Sequence, residues 1–218
     1  HVVFILATTE LGKLPETIIS RCQVFNFRKP SEQVLKDLVL DITQAEGVKL
    51  DAPTADLIAV LGEGSFRDTT GVLQKVLNFA QGKKITREEV ETITGAPSAT
   101  LINNFISALG AKDLEKGLSA IHQAVGQNID MKVYLKLILK KLRVVLLLKF
   151  AENMAKEFME DMAEDDRKFL VSFTKEHGVN ASSSALVILL EAYGQIDYAF
   201  ISEFPLELAL IKIINKEE

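Results

Sequence analysis

The chain has 218 residues, 48% of them hydrophobic and 25% charged, which is the composition of a globular protein large enough for more than one compact unit. A net charge of −5 excludes a chain that grips nucleic acid through a basic field of its own. The single cysteine, Cys22, excludes an internal disulfide and a zinc-finger framework and fits a reducing, cytoplasmic setting. His1, His122 and His177 lie far apart and form no i, i+4 pair, so no histidine-based metal site is expected. No membrane span is expected either, because the most apolar stretch, residues 131–150, is interrupted by Lys132, Lys136, Lys140, Lys141, Arg143 and Lys149.

In chain order, residues 2–7 are continuously apolar and read as a parallel strand covered on both faces. No basic leader or small-residue cleavage site accompanies this run, and turn signals follow it at once. A short helix is expected within 11–20, around Leu14 and Pro15, and a second strand over 22–27. Nothing further along reads as strand-rich. The rest of that sheet is therefore expected upstream of His1 or in another molecule, with the chain beginning inside a domain.

From Pro30 the periodicity turns helical. Ser31 is placed to cap a helix whose apolar face is Val34, Leu35, Leu38, Val39 and Ile42 and which Gly47 ends. Further helices are expected over 54–61, 65–80 and 86–93, making a small bundle. Gly95, Ala96, Pro97 and Ser98 together break the periodicity, and a domain boundary is expected there. Beyond it, helices are expected over 98–109, 113–126, 130–151, 156–176, 182–200 and 205–215, unequal in length and without a solenoid period. The fold class is mainly α.

Three short motifs carry chemistry. The first is Phe4-Ile5-Leu6-Ala7-Thr8-Thr9-Glu10, followed by Lys13-Leu14-Pro15 and then Ser20-Arg21-Cys22. This order and spacing resemble the clamp-loader branch of the AAA+ ATPases. The resemblance implies that Thr8 or Thr9, with Thr8 the better placed, is the sensor 1 residue facing an ATP γ-phosphate. A hydroxyl can position water or report the phosphate through one hydrogen bond. It also implies that Arg21 is an arginine finger reaching into a neighbouring subunit's ATP site, where a guanidinium can make two hydrogen bonds to phosphate oxygens. Without the resemblance, the threonines are a strand end capping a turn and Arg21 is an ordinary surface arginine. Ser20 and Cys22 are expected to support the turn, with Cys22 a small buried filler.

The second motif, Gly64-Ser65-Phe66-Arg67-Asp68, is similar to a sensor 2 element, which implies that Arg67 leans onto the phosphates of its own subunit's nucleotide. Ser65 with Asp68 reads equally as a capping pair, and both readings can hold. The third, residues 203–212, resembles the last collar helix of the gamma/tau subunits of bacterial DNA polymerase III more than that of their non-hydrolysing relative in the same assembly.

The resemblance covers the whole chain and implies three parts: the end of an AAA+ α/β core over 1–28, a helical lid over 29–95 and a helical collar for oligomerisation over 96–218. It implies a role in ATP-dependent loading of a sliding clamp onto primer-template DNA during replication, in a pentamer with other clamp-loader subunits. ATP and Mg²⁺ are the implied cofactors. The sequence contains no G-x-x-x-x-G-K-[ST] loop and no acidic strand end for Mg²⁺, so this chain alone is expected neither to hold them stably nor to hydrolyse ATP. The alternatives are a helical scaffold without a nucleotide role, or a clamp-loader small subunit of another lineage, such as an archaeal one.

Two charge patterns remain. Lys132, Lys136, Lys140 and Arg143 form a stripe along one helix face, read either as a surface steering DNA or a partner or, more plainly, as a solvated face opposite Val133, Leu137, Ile138 and Leu142. Glu157, Glu160, Asp161, Glu164, Asp165 and Asp166 form an acidic run, read as an exposed helix end or as a partner for that stripe on a neighbouring subunit.

Overall fold

The computed structural model describes residues 2–80, 82–160, 162–177 and 183–215. His1, Asp161 and the expected helix start at Ser182 lie outside the described residues. Residues 2–7 and 23–27 have no regular secondary structure, which corrects the expectation of two strands. The reason is physical: a strand is stable only through its neighbours, and no described segment lies beside these two to complete a ladder. Their apolar side chains stay in solvent accordingly, with Phe27 97% exposed. Between them the expected short helix appears as a 3₁₀ turn, Leu11–Lys13, and one helical turn, α1 (Glu16–Ile19), entered through Pro15.

The next group is α2 (Glu32–Ala45), β1 (Lys49–Leu50), α3 (Ala52–Leu61), α4 (Phe66–Phe79), β2 (Lys84–Ile85) and α5 (Arg87–Thr94). Each helix starts where a short polar side chain accepts a backbone N–H: Ser31 from Val34, Asp51 from Thr54, Ser65 from Asp68 and Thr86 from Glu89. At α5 the Glu89 carboxylate also accepts from the Thr86 N–H at 2.8 Å, completing a capping box. Strands β1 and β2 pair in parallel, Lys49 with Lys84 and Leu50 with Ile85. This ladder was not expected, because two residues show no periodicity; burial of Ile85 fixes its register. Leu35 and Val39 bury the inner face of α2, while Val34 remains exposed.

Gly95 closes α5 in the left-handed region, at φ 73°. After it come α6 (Ala99–Ala111), α7 (Leu114–Gly126), α8 (Met131–Phe150), α9 (Glu152–Glu160), α10 (Glu164–His177), α11 (Ser183–Gln195) and α12 (Phe204–Asn215). Close helix packing occurs within residues 29–95 and within residues 98–215, and buried Val90, Ala96, Leu101 and Ile102 continue one apolar core between the two groups. Helix α8 is the spine of the second group, burying Tyr134, Leu135, Ile138, Leu142 and Val145. The Tyr134 hydroxyl donates to the Leu101 carbonyl at 3.2 Å and its ring meets Phe105 edge-on, while burial pushes the phenol pKa up.

The helix expected over 156–176 is two helices. Arg167 donates to the Glu160 carbonyl at 2.6 Å and to the Met162 carbonyl at 2.9 Å, so a side chain of α10 takes up carbonyls that the end of α9 leaves without helical partners. The helix expected over 182–200 ends at Gln195 and continues as a 3₁₀ turn, Ile196–Tyr198. Among the described residues no helix is long and apolar enough to cross a membrane.

Helices α6 and α10 approach so closely at Gly110 that a Cβ there would lie 2.9 Å from both Phe173 Cζ and His177 Cβ. The Phe173 ring is itself flanked by Phe169 and His177, at 6.0 and 5.7 Å between centroids, and has little room to give. Gly110→Ala should therefore cost about 1–3 kcal/mol by overpacking. Gly71→Ala, in α4 with open space around it, should instead gain up to about 1 kcal/mol from helix propensity. Urea unfolding of both variants checks the opposite signs.

Candidate functional site

The Ser-Arg-Cys turn is built by α1 running out. The Ser20 N–H donates to Glu16, that of Arg21 to Ile18 and that of Cys22 to Ile19, while the Ser20 hydroxyl bonds the Thr17 carbonyl at 3.3 Å. Arg21 is exposed and has no acidic partner among the described residues. Cys22 is a free, exposed thiol, correcting the reading of a buried filler: no other element covers this turn. Thr8 is exposed too, and its Oγ1 accepts the Glu10 N–H at 3.0 Å, holding the chain as it bends into the Leu11–Lys13 turn.

Arg67 is the second residue of α4. Ser65 caps that helix, but the capping pair expected with Asp68 has only one arm, because the Ser65 N–H is already given to the Gly62 carbonyl at 2.9 Å. The turn before it needs glycine at position 64, where φ is +79° and the Lys29 stem crosses so closely that a Cβ would sit 3.0 Å from its Cγ and Cδ. Arg67 is exposed and its side chain has no ion-pair partner among the described residues. No hydrogen bond or ion pair joins Thr8, Arg21 and Arg67 to one another among the described residues. Nor do the described His, Cys, Asp and Glu side chains group so as to hold a metal ion.

The three lysines of the basic stripe on α8 are part-buried and paired, while Arg143 stays exposed. Lys132 pairs with Asp197, beyond the end of α11. Lys136 donates to the Val60 carbonyl at 3.1 Å, at the end of α3, and lies 3.3 Å from Glu32. Lys140 donates to both carboxylate oxygens of Asp56 at 2.8 Å and to Glu32 at 3.0 Å. Arg143 lies over the Phe158 ring at 4.7 Å. Burial works against the charge on Lys140, but Asp56 and Glu32 outweigh it and raise its pKa; burial likewise opposes the Glu32 carboxylate, and Lys140 and Lys136 outweigh it to lower the pKa.

Lys141, beside the stripe, is 5% exposed and donates to Asp166 at 2.5 Å and Asn103 at 2.8 Å. Burial lowers its pKa despite Asp166, and Arg87, which sits 3.8 Å from Asp166, adds to the lowering. Among the described residues of the acidic run Asp166 alone is buried, whereas Glu157, Glu160 and Asp165 stay exposed and Glu164 pairs with Arg167 and Lys168. Both charge clusters line a cleft of about 640 Å³ with an apolar wall that includes Ile102, Leu137, Val144, Phe158 and Leu190. No local pattern in the sequence discloses this junction. The only available signal was that α8 carries six cations in its 20 residues and still has to be central.

Two groups of capped helices, joined through a charged junction, make a mainly α protein in which exposed Arg21 sits on a turn and exposed Arg67 at a helix start. The chain belongs to the family of DNA polymerase III subunits gamma and tau, domain III, whose profile matches residues 85–218. It is 27% identical to the DNA polymerase III subunit tau of Bacillus subtilis over 98% of this chain and 37% of that protein. It is 30% identical to the gamma/tau subunit of Mycobacterium bovis over 76% of this chain and 28% of that one. The chain therefore spans less than two thirds of the length of these curated relatives. Among solved structures, the Bacillus subtilis DNA clamp loader delta protein aligns over 96% of this chain and 64% of its own, at 16% identity and a TM-score of 0.43.

Asp166→Ala should cost about 3 kcal/mol at neutral pH, since it leaves a buried ammonium with only a neutral amide partner. Lys141→Met should cost less, because Asp166 keeps Arg87 nearby. In the Asp166→Ala chain the Lys141 pKa falls further below its unfolded value, so the deficit should shrink as pH rises towards the ordinary lysine range. Denaturant midpoints at pH 7 and 9.5 check both statements.

Proposed function

We propose that this chain is the end of the ATPase core, the lid and the collar of a gamma/tau clamp-loader subunit, which loads a sliding clamp onto primer-template DNA in the cytoplasm. In this reading residues 1–28 end the core, 29–95 form the lid and 96–218 the collar, through which the subunit joins others in a pentameric ring. The observation that carries it is Arg21: an exposed guanidinium without an acidic partner among the described residues, on the Ser20–Cys22 turn of a chain in the gamma/tau family. Arg21 acts as the arginine finger on a neighbour's ATP, Thr8 as sensor 1, and Arg67 as sensor 2 on the subunit's own nucleotide. ATP and Mg²⁺ supply the phosphoryl group and its charge neutralisation. The phosphate loop and the metal ligands are contributed by residues outside this chain, because the motif for the first is not in the sequence.

For Arg21 the chemistry is electrostatic. A fixed cation with two parallel donors stabilises the charge that builds on transferring phosphoryl oxygens, and it does so without a proton leaving the side chain. Supplying it across an interface makes each hydrolysis depend on the state of the adjacent subunit. Support for collar assembly comes from Tyr198 and Phe200, which follow α11 and are almost wholly exposed, the pattern of an apolar surface that a partner covers.

In the full-length protein assembled with its partner subunits, Arg21→Ala should lower hydrolysis at the adjacent site by about 10³-fold while the assembly stays intact by sedimentation. Unchanged hydrolysis in an intact assembly would favour the helical scaffold instead.

A further inference from the structure

The residues assigned to the lid and those assigned to the collar meet mainly through long side chains. Close helix–helix packing is confined to each group, and the apolar core passes between them near Ala96. What spans the rest of the gap is one face of α8, with Arg87 of α5 lying 3.8 Å from Asp166 of α10 beside it. Lys136 and Lys140 are one helical turn apart and so point the same way. They share Glu32 at the start of α2, and each also takes its own hold on α3: Lys140 at Asp56, Lys136 at the Val60 carbonyl. The last contact is favourable in itself, because a cation at a helix C-terminus meets the negative end of its dipole.

Two cations against two carboxylates leave no net charge at the contact, and all four side chains are part-exposed, between 27% and 39%. Pairs of this exposure add little to overall stability. Their effect is directional: two donors on one helix gripping two separate helices fix an angle as well as a distance. Helix α3 then leads, through the Gly62 to Gly64 turn, directly into α4, and Arg67 lies seven residues after Val60. Any rotation of α3 about α8 is carried to Arg67 by that short, tightly bonded turn.

We infer that Lys140 is a positioning residue: with Lys136 it clamps α2 and α3 onto α8 and so sets the orientation in which Arg67 is presented. This rests on the assignment of Arg67 as sensor 2. The clamp is ionic and part-exposed, so salt loosens it and a competing set of contacts in a rearranged assembly can replace it. It is a latch between the nucleotide-facing and oligomerising parts.

The test uses the full-length subunit assembled with its partners, with Cys22→Ser and spin labels at Lys75→Cys on α4 and Gln123→Cys on α7. In the parent, the inter-label distance distribution should be narrow at low salt. Lys140→Met, which keeps the aliphatic stem, should broaden it and raise the KM for ATP about fivefold or more with the ring intact, and Lys140→Arg should restore both. An unchanged distribution in Lys140→Met would overturn the clamp. A broadened distribution with unchanged KM would overturn the link from clamp to Arg67. The underlying assignment has its own arm: Arg67→Ala should raise KM without broadening the distribution, and if it leaves KM unmoved the sensor 2 reading fails while the distance result still judges the clamp.

Discussion

Helix α8 can be the centre of this molecule only if those of its cations that leave solvent are neutralised. It carries six in 20 residues while burying Tyr134, Leu135, Ile138 and Leu142. An ammonium taken out of water without a partner costs far more than one apolar side chain returns, so acids have to come to the helix. They come from distant parts of the chain: Glu32 from α2, Asp56 from α3, Asp166 from α10 and Asp197 from beyond α11. Much of the tertiary arrangement can be read as the set of helix placements that brings these carboxylates to one rod. The net charge of −5 fits that arrangement, since acids are in surplus.

The same constraint separates what the sequence discloses from what it hides. Helix starts are written within four residues. Ser31, Ser65, Thr86, Ser98, Asp113 and Asp130 each accept a backbone N–H two or three positions on, and each stands within one position of a start that periodicity had placed. Lys140 and its acids are 84 and 108 positions apart, and no local pattern carries that pairing. From sequence the lysines therefore look like any charged outer face, and Asp166 like one more member of an acidic run. The break between α9 and α10 is hidden for a related reason, because it is held by Arg167 folding back on carbonyls and not by glycine or proline.

The segments at the amino-terminal end show the reverse case. Val2 to Leu6 has the strand signature of a fully covered β-strand, and Phe25 and Phe27 repeat it, yet all of these side chains stand in solvent. Periodicity and propensity describe what a segment suits; whether a strand forms depends on a neighbour with free backbone groups.

The candidate arginines and the cations of the junction differ in one respect that bears on their roles. Lys136, Lys140, Lys141 and Arg87 each hold specific acceptors. Arg21 and Arg67 hold none among the described residues, in a chain with 30 acidic side chains to 25 basic ones. Exposed Arg28 holds none either, so an open fork does not by itself mark an arginine that binds an anion. One that must bind phosphate oxygens works best with its fork free, because an internal partner has to be displaced before the anion can be bound. The hydrogen-bonded turn at Arg21 and the capped start of α4 hold the backbone at both positions, while the guanidinium groups stay unengaged among the described residues.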